Sequence, residues 1–258
     1  MRTVSLLFVF TAILFSACKP TPTTDNNPTT GTLELVFKAK YNNNPLMLFQ
    51  NTSTGLSDPS ELYFKRLDFF ISDIKGTNSD GNQADFKDVG YISMATSLDQ
   101  ASSEAGTTFT IDKLPIGSYT NLNMGFGLSD AVNNTTPGSH EQTSPLFLNA
   151  NYWASWNSYI FCKIEGNVTH GGGTSSFLYH AGVNGMHQLR SYSKSFDIAA
   201  GQTTQIVFHI NAEDFFFKNN HTIDLVNENS THSGAAGSTE YNLAKRALVN
   251  LADAVVVQ

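Results

Sequence analysis

The stretch Asn133–Gly166 reads NNTTPGSHEQTSPLFLNANYWASWNSYIFCKIEG and joins a long polar loop to a strand. The strand is predicted to begin near Asn157, because the apolar and aromatic residues that follow suit a sheet buried on at least one face. The stretch holds both tryptophans of the chain, Trp153 and Trp156, with His140 upstream. A long loop attached to a sheet and rich in such residues is a candidate functional site. The alternative is that both tryptophans plug one end of a sandwich core.

Short strands separated by turns recur on both sides of this stretch. The clearest is Leu122–Leu128, LNMGFGL, in which apolar residues alternate with Asn or Gly. Strands at this spacing, without helices between them, predict an all-β antiparallel sandwich or barrel rather than βαβ units. We expect the sandwich, with long loops and a C-terminal α-helix. The other predicted strands include residues 33–38, 67–72, 86–92, 107–112, 176–182, 189–198 and 205–210.

The C-terminal helix is predicted over Tyr241–Val257, where apolar residues recur at the spacing of one helix face. Ser238 or Thr239 is suited to cap its N-terminus. A single helical turn is expected at Asn211–Phe217, and a polar loop at residues 227–240 precedes the long helix. The apolar stripe consists of Leu243, Ala247, Leu248, Leu251 and Ala254.

Residues 1–17 have the pattern of an export signal, because Arg2 supplies a positive charge and a short apolar run precedes Cys18. The apolar run is too short to span a membrane. The pattern resembles a bacterial lipoprotein signal, in which Cys18 becomes the lipidated first residue and anchors the protein. The alternative is ordinary cleavage that leaves Cys18 as a free thiol. Residues 18–31 then predict a flexible tether and residues 32–258 a single domain.

The charge balance argues against one class of partner. The 258 residues include 15 basic and 22 acidic side chains, and removal of residues 1–17 leaves 14 against 22, a net charge of −8. An acidic chain without a basic run does not suit nucleic acid, and it is compatible with cations. The other cysteine, Cys162, is expected to be a small buried hydrophobe, with a copper thiolate ligand as the alternative.

No catalytic motif is found: the sequence lacks a G-x-S-x-G elbow, an H-E-x-x-H pair and a phosphate-binding glycine loop. We therefore expect a protein that is not an enzyme. The histidines lack the short spacing of a local zinc site, so a metal site would have to join distant loops. His140, His180 and His232 each have the features of an ordinary histidine, but together with two tryptophans they favour copper, which imidazole suits.

Several segments, in a fixed order, carry a resemblance to a known family. The chain resembles the MbnP-like domain family, whose members include periplasmic and surface copper-binding proteins of methane-oxidising bacteria and many bacterial lipoproteins. The loop that contains His232 ahead of the last helix also fits. The segments are LELVFKAKY (33–41), LYFKRLDFFISDI (62–74), LPIGSYTNLNMGFGL (114–128), NNTTPGSHEQTSPL (133–146), YWASWNSYIFCKIEG (152–166) and FLYHAG (177–182).

The resemblance implies a copper site that joins two histidines to an oxidised tryptophan, a kynurenine, of the central segment. Trp153 and Trp156 match the paired tryptophans, and His180 matches a histidine in the following strand. His140 falls in the asparagine-rich loop, where relatives often have a histidine. His232 lies in the loop before the last helix and completes the set of candidate metal ligands.

We therefore expect a copper-binding protein that captures or handles the ion without catalytic turnover. It would be lipid-anchored to a membrane in the bacterial cell envelope and face the periplasm or the outside. No protein partner is indicated. The alternative function is a lipoprotein that binds a carbohydrate or a protein partner through an aromatic surface formed by Tyr152, Trp153, Trp156 and Tyr159; exposed tryptophans would favour it.

Overall fold

The computed structural model describes residues 28–217 and 221–258. The predicted signal peptide, Cys18 and the predicted tether up to residue 27 lie outside these residues. The helices are α1 Gln100–Ala105, α2 Asp130–Asn133, α3 Asp214–Phe217 and α4 Thr239–Ala254, with 3-10 turns at Pro137–Ser139, Pro145–Phe147 and Asn149–Asn151. The strands are β1 Thr30–Tyr41, β2 Asn44–Pro45, β3 Asn51–Ser53, β4 Glu61–Thr77, β5 Gln83–Ser93, β6 Thr107–Pro115, β7 Gly117–Phe126, β8 Tyr152–Trp153, β9 Ser158–Tyr159, β10 Cys162–His170, β11 Gly173–Ala181, β12 Gln188–Ile198, β13 Thr203–Asn211, β14 Ser230–Thr231 and β15 Val255–Val257.

The smaller sheet has five strands and is organised around β1. β13 runs parallel to β1 along one edge, while β6 and β2 pair with it in antiparallel fashion. Leu33, Leu35 and Phe37 are fully buried, as their alternation with more polar residues predicts. β1 begins at Thr30, so the last two residues assigned to the tether belong to this strand.

The larger sheet has eight strands and is organised around β4. β10 pairs with the first half of this long strand and β7 with its second half, while β3 and β5 also pair with it. β11 follows β10, and the short β14 extends that edge in parallel. The outer face of this sheet near β10 and β11 supports the candidate site.

The two sheets pack face to face through aromatic side chains. Phe37 on β1 lies 5.9 Å from Phe69 on β4, and Phe208 on β13 lies 5.0 Å from Tyr192 on β12, measured between ring centroids. Such contacts between two inner faces define a β-sandwich. The predicted all-β sandwich with a C-terminal helix is therefore confirmed.

The C-terminal helix α4 carries the predicted apolar stripe, and all five of its residues are buried. Ser238 caps the helix, since its hydroxyl accepts a hydrogen bond from the Tyr241 backbone N–H at 3.1 Å. The prediction placed the end of the helix three residues too late, because Val255–Val257 form β15 and pair with β13. Consecutive β-branched valines favour an extended backbone over a helix. Among the described residues, no helix combines the length and apolarity needed to cross a bilayer.

Two local predictions differ from the structure. Short helices α1 and α2 interrupt the series of strands, because six and four residues are too few to show helical periodicity. The strand expected from Asn157 is divided in two: β9 pairs with β8 in a small hairpin, and β10 begins only at Cys162. Asn157 has a φ of 48°, which is suited to the turn of that hairpin.

Candidate metal-binding site

The loop between α2 and β9 is anchored by the buried side chain of Asn133. Its Oδ1 accepts hydrogen bonds from the Tyr159 backbone N–H at 2.9 Å and from the Ser158 hydroxyl at 3.1 Å. Its Nδ2 donates to Oδ1 of Asn184 at 2.8 Å. One amide therefore joins both ends of the loop to the segment after β11, which gives the intervening residues a defined position.

Lys163 holds the middle of the same loop against the sheet. Its side chain is only 4% exposed, and Nζ donates to the Ala150 carbonyl and to Oδ1 of Asn151, both at 2.7 Å. Burial lowers the pKa of Lys163 below its usual range, and the nearby Arg66 adds to this effect. Trp153 lies two residues after Asn151, so the ammonium group of Lys163 holds the segment just ahead of the indole.

The pairing of β10 with β11 determines which side chains face the loop. Lys163 is directly opposite His180, and Cys162 is opposite Ala181. Because neighbouring residues of a strand point to opposite faces, His180 shares the outer face with Lys163 while Cys162 points into the core. Cys162 is fully buried, and burial raises the pKa of its thiol to about 12. The copper-thiolate alternative is therefore not supported at the outer face.

Three aromatic rings from distant parts of the chain meet over this face. The ring of Trp153 lies 5.7 Å from that of His180 and 5.2 Å from that of His232, between centroids. The two imidazoles are also 5.2 Å apart. We refer to Trp153, His180 and His232 as the imidazole–indole cluster. Three of the five predicted metal-binding residues thus lie together.

The environment of His180 favours one neutral tautomer of its imidazole ring. Nε2 lies 2.8 Å from Oε1 of Glu165, whereas Nδ1 is buried and has no hydrogen-bond partner among the described residues. Burial lowers the pKa of His180, an effect that the hydrogen bond to Glu165 only partly opposes. Burial alone would raise the pKa of Glu165, but hydrogen bonds from His180 and Arg66 bring it below its usual range. A neutral imidazole that donates from Nε2 keeps its lone pair on Nδ1.

The second imidazole is held by the segment between β14 and α4. Ser233, next to His232, accepts a hydrogen bond from the Gly182 backbone N–H at 2.8 Å and donates to the His180 carbonyl at 3.0 Å. These bonds attach the loop to the end of β11, while the His232 side chain stays exposed. The cluster consequently has one sheltered imidazole and one that is open to solvent.

The donor set limits the kind of ion that fits. Among residues 28–217 and 221–258, no group of three or more His, Cys, Asp or Glu side chains is arranged to hold a metal. Two imidazoles and an indole instead suit an ion of low coordination number, and imidazole is a common ligand of copper. Within this set, Nδ1 of His180 is a buried ring nitrogen without a hydrogen-bond partner among the described residues.

The other predicted site residues lie elsewhere. The His140 ring contacts Tyr159 rather than the cluster, and its Nε2 lies 2.6 Å from the Thr135 hydroxyl. It lines a groove of about 470 Å³ beside Lys87, because the 3-10 turns carry the loop back across β5 before it reaches Trp153. The predicted role of His140 as a ligand in the same site is not supported. The predicted lipidation site, Cys18, lies outside the described residues.

Trp156 borders the cluster without stacking on it. Its side chain is 43% exposed and, with His232, lines a hollow of about 480 Å³.

Lys163 and Glu165 were not predicted as site residues. The sequence carried a signal for them, because two charged residues at alternate positions of an otherwise buried strand must lie on the same face of the sheet.

This chain is similar to proteins of a known family. A solved structure of MbnP from Methylosinus trichosporium is similar over 83% of this chain and 87% of that chain, with 12% identity and a TM-score of 0.49. No curated protein matches the sequence. Residues 30–234, well over half of the chain, match the sequence model of the MbnP family. The chain therefore belongs to the MbnP family, and this membership supports a general copper-related role in the periplasm.

Proposed function

We propose that the protein binds a copper ion at the imidazole–indole cluster. The observation that carries the proposal is the buried Nδ1 of His180, which has no partner among the described residues. A buried polar atom without a partner costs about 1–3 kcal/mol, and a bound metal ion is one ligand that would remove this cost. Nδ1 of His180 and a ring nitrogen of the exposed His232 would hold the ion.

The surroundings of the two imidazoles favour a soft ion with few ligands. Trp153 contacts both rings and, with the sheet, shelters His180 from water, which suits Cu(I) better than an ion that keeps a hydration shell. The family resemblance also implies a modified tryptophan. Of the two candidates we assign Trp153, since it contacts both imidazoles whereas Trp156 is exposed.

The proposed role is capture or handling of copper without catalytic turnover. One face of His232 is open to the hollow that Trp156 lines, so an ion can reach the cluster from solvent or from a donor molecule. A lipid anchor at Cys18 would keep the domain in the cell envelope, facing the periplasm or the outside. Such capture would be a specific form of the general copper-related role that family membership supports.

The test is a metal-binding measurement on the full mature chain. The protein is saturated with Cu(I) under reducing conditions, desalted and analysed for bound metal, and the mass of the intact chain shows whether a tryptophan is oxidised. We expect about one copper in the wild type and loss of most of it in His180→Ala and His232→Ala. His209→Ala changes a histidine on β13 that bonds to Gln258 and is the matched control. A wild type that retains no copper would refute the proposal.

A second function is favoured by a different feature, the hollow on the other side of Trp156. This hollow of about 280 Å³ combines an exposed indole with neutral amides, which are the groups that bind a neutral sugar ring. The predicted platform of four aromatic residues does not form, because Tyr159 is fully buried. The remaining lining residues are Asn133, Asn134, Asn157, Ser158, Val183 and Asn184.

This second function is tested by titrating the metal-free protein with neutral monosaccharides and following amide NMR signals. Saturable shifts at Asn157 and Asn184 that disappear in Trp156→Ala would support it. Because Trp156 lies outside the imidazole–indole cluster, this variant also separates the two functions. Unchanged spectra at millimolar sugar would count against sugar binding and leave the copper proposal as it stands.

A further inference from the structure

Glu165 on β10 contacts side chains on both neighbouring strands, β4 and β11, through a single carboxylate oxygen. Oε1 lies 2.8 Å from Nε2 of His180 on β11 and 3.2 Å from Nη1 of Arg66 on β4. In the sheet register, Glu165 pairs with Arg66 on one side and with Leu178 on the other, so His180 is its diagonal neighbour. Side chains in these positions share a face of the sheet, and the carboxylate bridges three strands.

Arg66 is itself held at its other end. Its Nε lies 2.9 Å from Oδ2 of Asp68, a largely buried carboxylate that also accepts a hydrogen bond from the Ser93 hydroxyl at 2.6 Å. A planar guanidinium bound by two carboxylates has few alternative positions. The position of Glu165 is consequently determined by three adjacent strands rather than by its own flexible side chain.

The hydrogen bond between Glu165 and Nε2 determines the state of Nδ1, on the other side of the His180 ring. A carboxylate only accepts hydrogen bonds, so Nε2 must carry the proton and Nδ1 the lone pair. The ring contacts Trp153 and His232, the other members of the cluster. Without Glu165, Nε2 would lose the acceptor that favours this tautomer.

We infer that Glu165 is a positioning residue that keeps His180 in the tautomer and orientation in which Nδ1 binds the metal. The inference rests on the proposed copper function. A carboxylate that accepts a hydrogen bond from a metal-binding imidazole fixes the ring and makes it a better donor to the metal. Loss of such a partner reduces metal affinity by about 10–100-fold.

Glu165→Gln in the full chain tests the inference. The variant keeps the size of the side chain, but its amide can donate to Nε2 as well as accept from it. With ¹⁵N-labelled histidine and no metal, NMR should show His180 protonated at Nε2 in the wild type and shifted toward the Nδ1-protonated form in the variant. The His180 signals are assigned from their loss in His180→Gln. Cu(I) affinity, measured against a competing chelator, should fall by about 10–100-fold.

Asp73→Asn is the matched control, since Asp73 lies 3.6 Å from Nε2 of His187 in another carboxylate–histidine pair. It should change neither the His180 tautomer nor the copper affinity. An unaltered His180 tautomer in Glu165→Gln would overturn the inference even if copper affinity fell, because the loss would then not act through the His180 tautomer. If the wild type binds no copper, the proposed function fails, whereas the metal-free tautomer measurement still decides the role of Glu165.

Discussion

The Trp153 indole lies 5.2 Å from the His232 ring, between centroids, although one residue precedes β9 and the other follows β14. The indole also contacts His180, so a single side chain touches both imidazoles of the proposed site. An apolar group beside a metal site controls how much water reaches the metal and its ligands. The indole is therefore expected to contribute to metal affinity even where it does not coordinate the ion.

Trp153→Ala should weaken Cu(I) binding by about 10–100-fold, because water and solvent ions gain access to His180. The measurement is competition with a Cu(I) chelator at constant pH. Trp156→Ala is the matched control, since it removes an indole that is 43% exposed, and its affinity should remain close to that of the wild type. Equal losses in the two variants would contradict a specific role for Trp153.

Lys163→Met should lower the free energy of unfolding by about 1–3 kcal/mol, because the Ala150 carbonyl and the Asn151 amide lose the donor that holds them. Methionine has a similar length and is tolerated in a buried position, so the change tests the hydrogen bonds rather than the volume. The measurement is urea unfolding. Copper affinity should fall as well, since the segment ahead of Trp153 is released.

The control for this variant is Lys65→Met on β4. Lys65 donates to Oδ1 of Asn167 at 2.9 Å, but the pair is exposed to solvent. Its loss should change the free energy of unfolding by less than about 0.5 kcal/mol. If the two lysine variants were equally stable, the buried ammonium of Lys163 would not hold the loop.

The fold was predictable where one face of a strand is buried and the other is polar, as in β1 and β7. It was less predictable where pairing across the sheet decides the environment. Val255–Val257 follow a helix without a break in apolar character, and only their pairing with β13 makes them a strand. The division between β9 and β10 depends on the small hairpin that β8 supplies.

The candidate site was predictable in part. Resemblance to relatives pointed to Trp153, His180 and His232, which the structure brings together. It also pointed to His140, which is near Trp153 in sequence but is carried away by the course of the loop. The role of Glu165 required the register between β10 and β11, since a diagonal hydrogen bond cannot be inferred from one strand alone.

Gly182→Ala should destabilise the protein by about 1–3 kcal/mol, because an added Cβ would lie 2.0 Å from the Tyr159 carbonyl oxygen. The residue follows β11, two positions after His180, so the strain falls at the end of the candidate site. Thermal unfolding of the metal-free protein measures the effect. Gly138→Ala is the control, since nothing lies within 4 Å of its added Cβ, and its stability should match or slightly exceed that of the wild type.

His187 should make stability depend on pH in the acidic range. Burial lowers the pKa of His187, and the nearby Asp73 and Asp130 only partly oppose this effect. The folded protein therefore takes up this proton less readily than the unfolded chain, in which histidine titrates near pH 6.5. The stabilisation is complete above about pH 6.5 and is lost as the pH falls toward the lower pKa of the folded state.

His187→Gln removes this titration while its amide can still bond to the Ser72 hydroxyl, which lies 2.9 Å from Nε2 in the wild type. The free energy of unfolding should consequently fall more between pH 7 and pH 5 in the wild type than in the variant. Urea unfolding of both proteins at each pH measures the difference, in which the contributions of titrating groups distant from His187 cancel. Parallel pH profiles would show that protonation of His187 costs the folded state nothing.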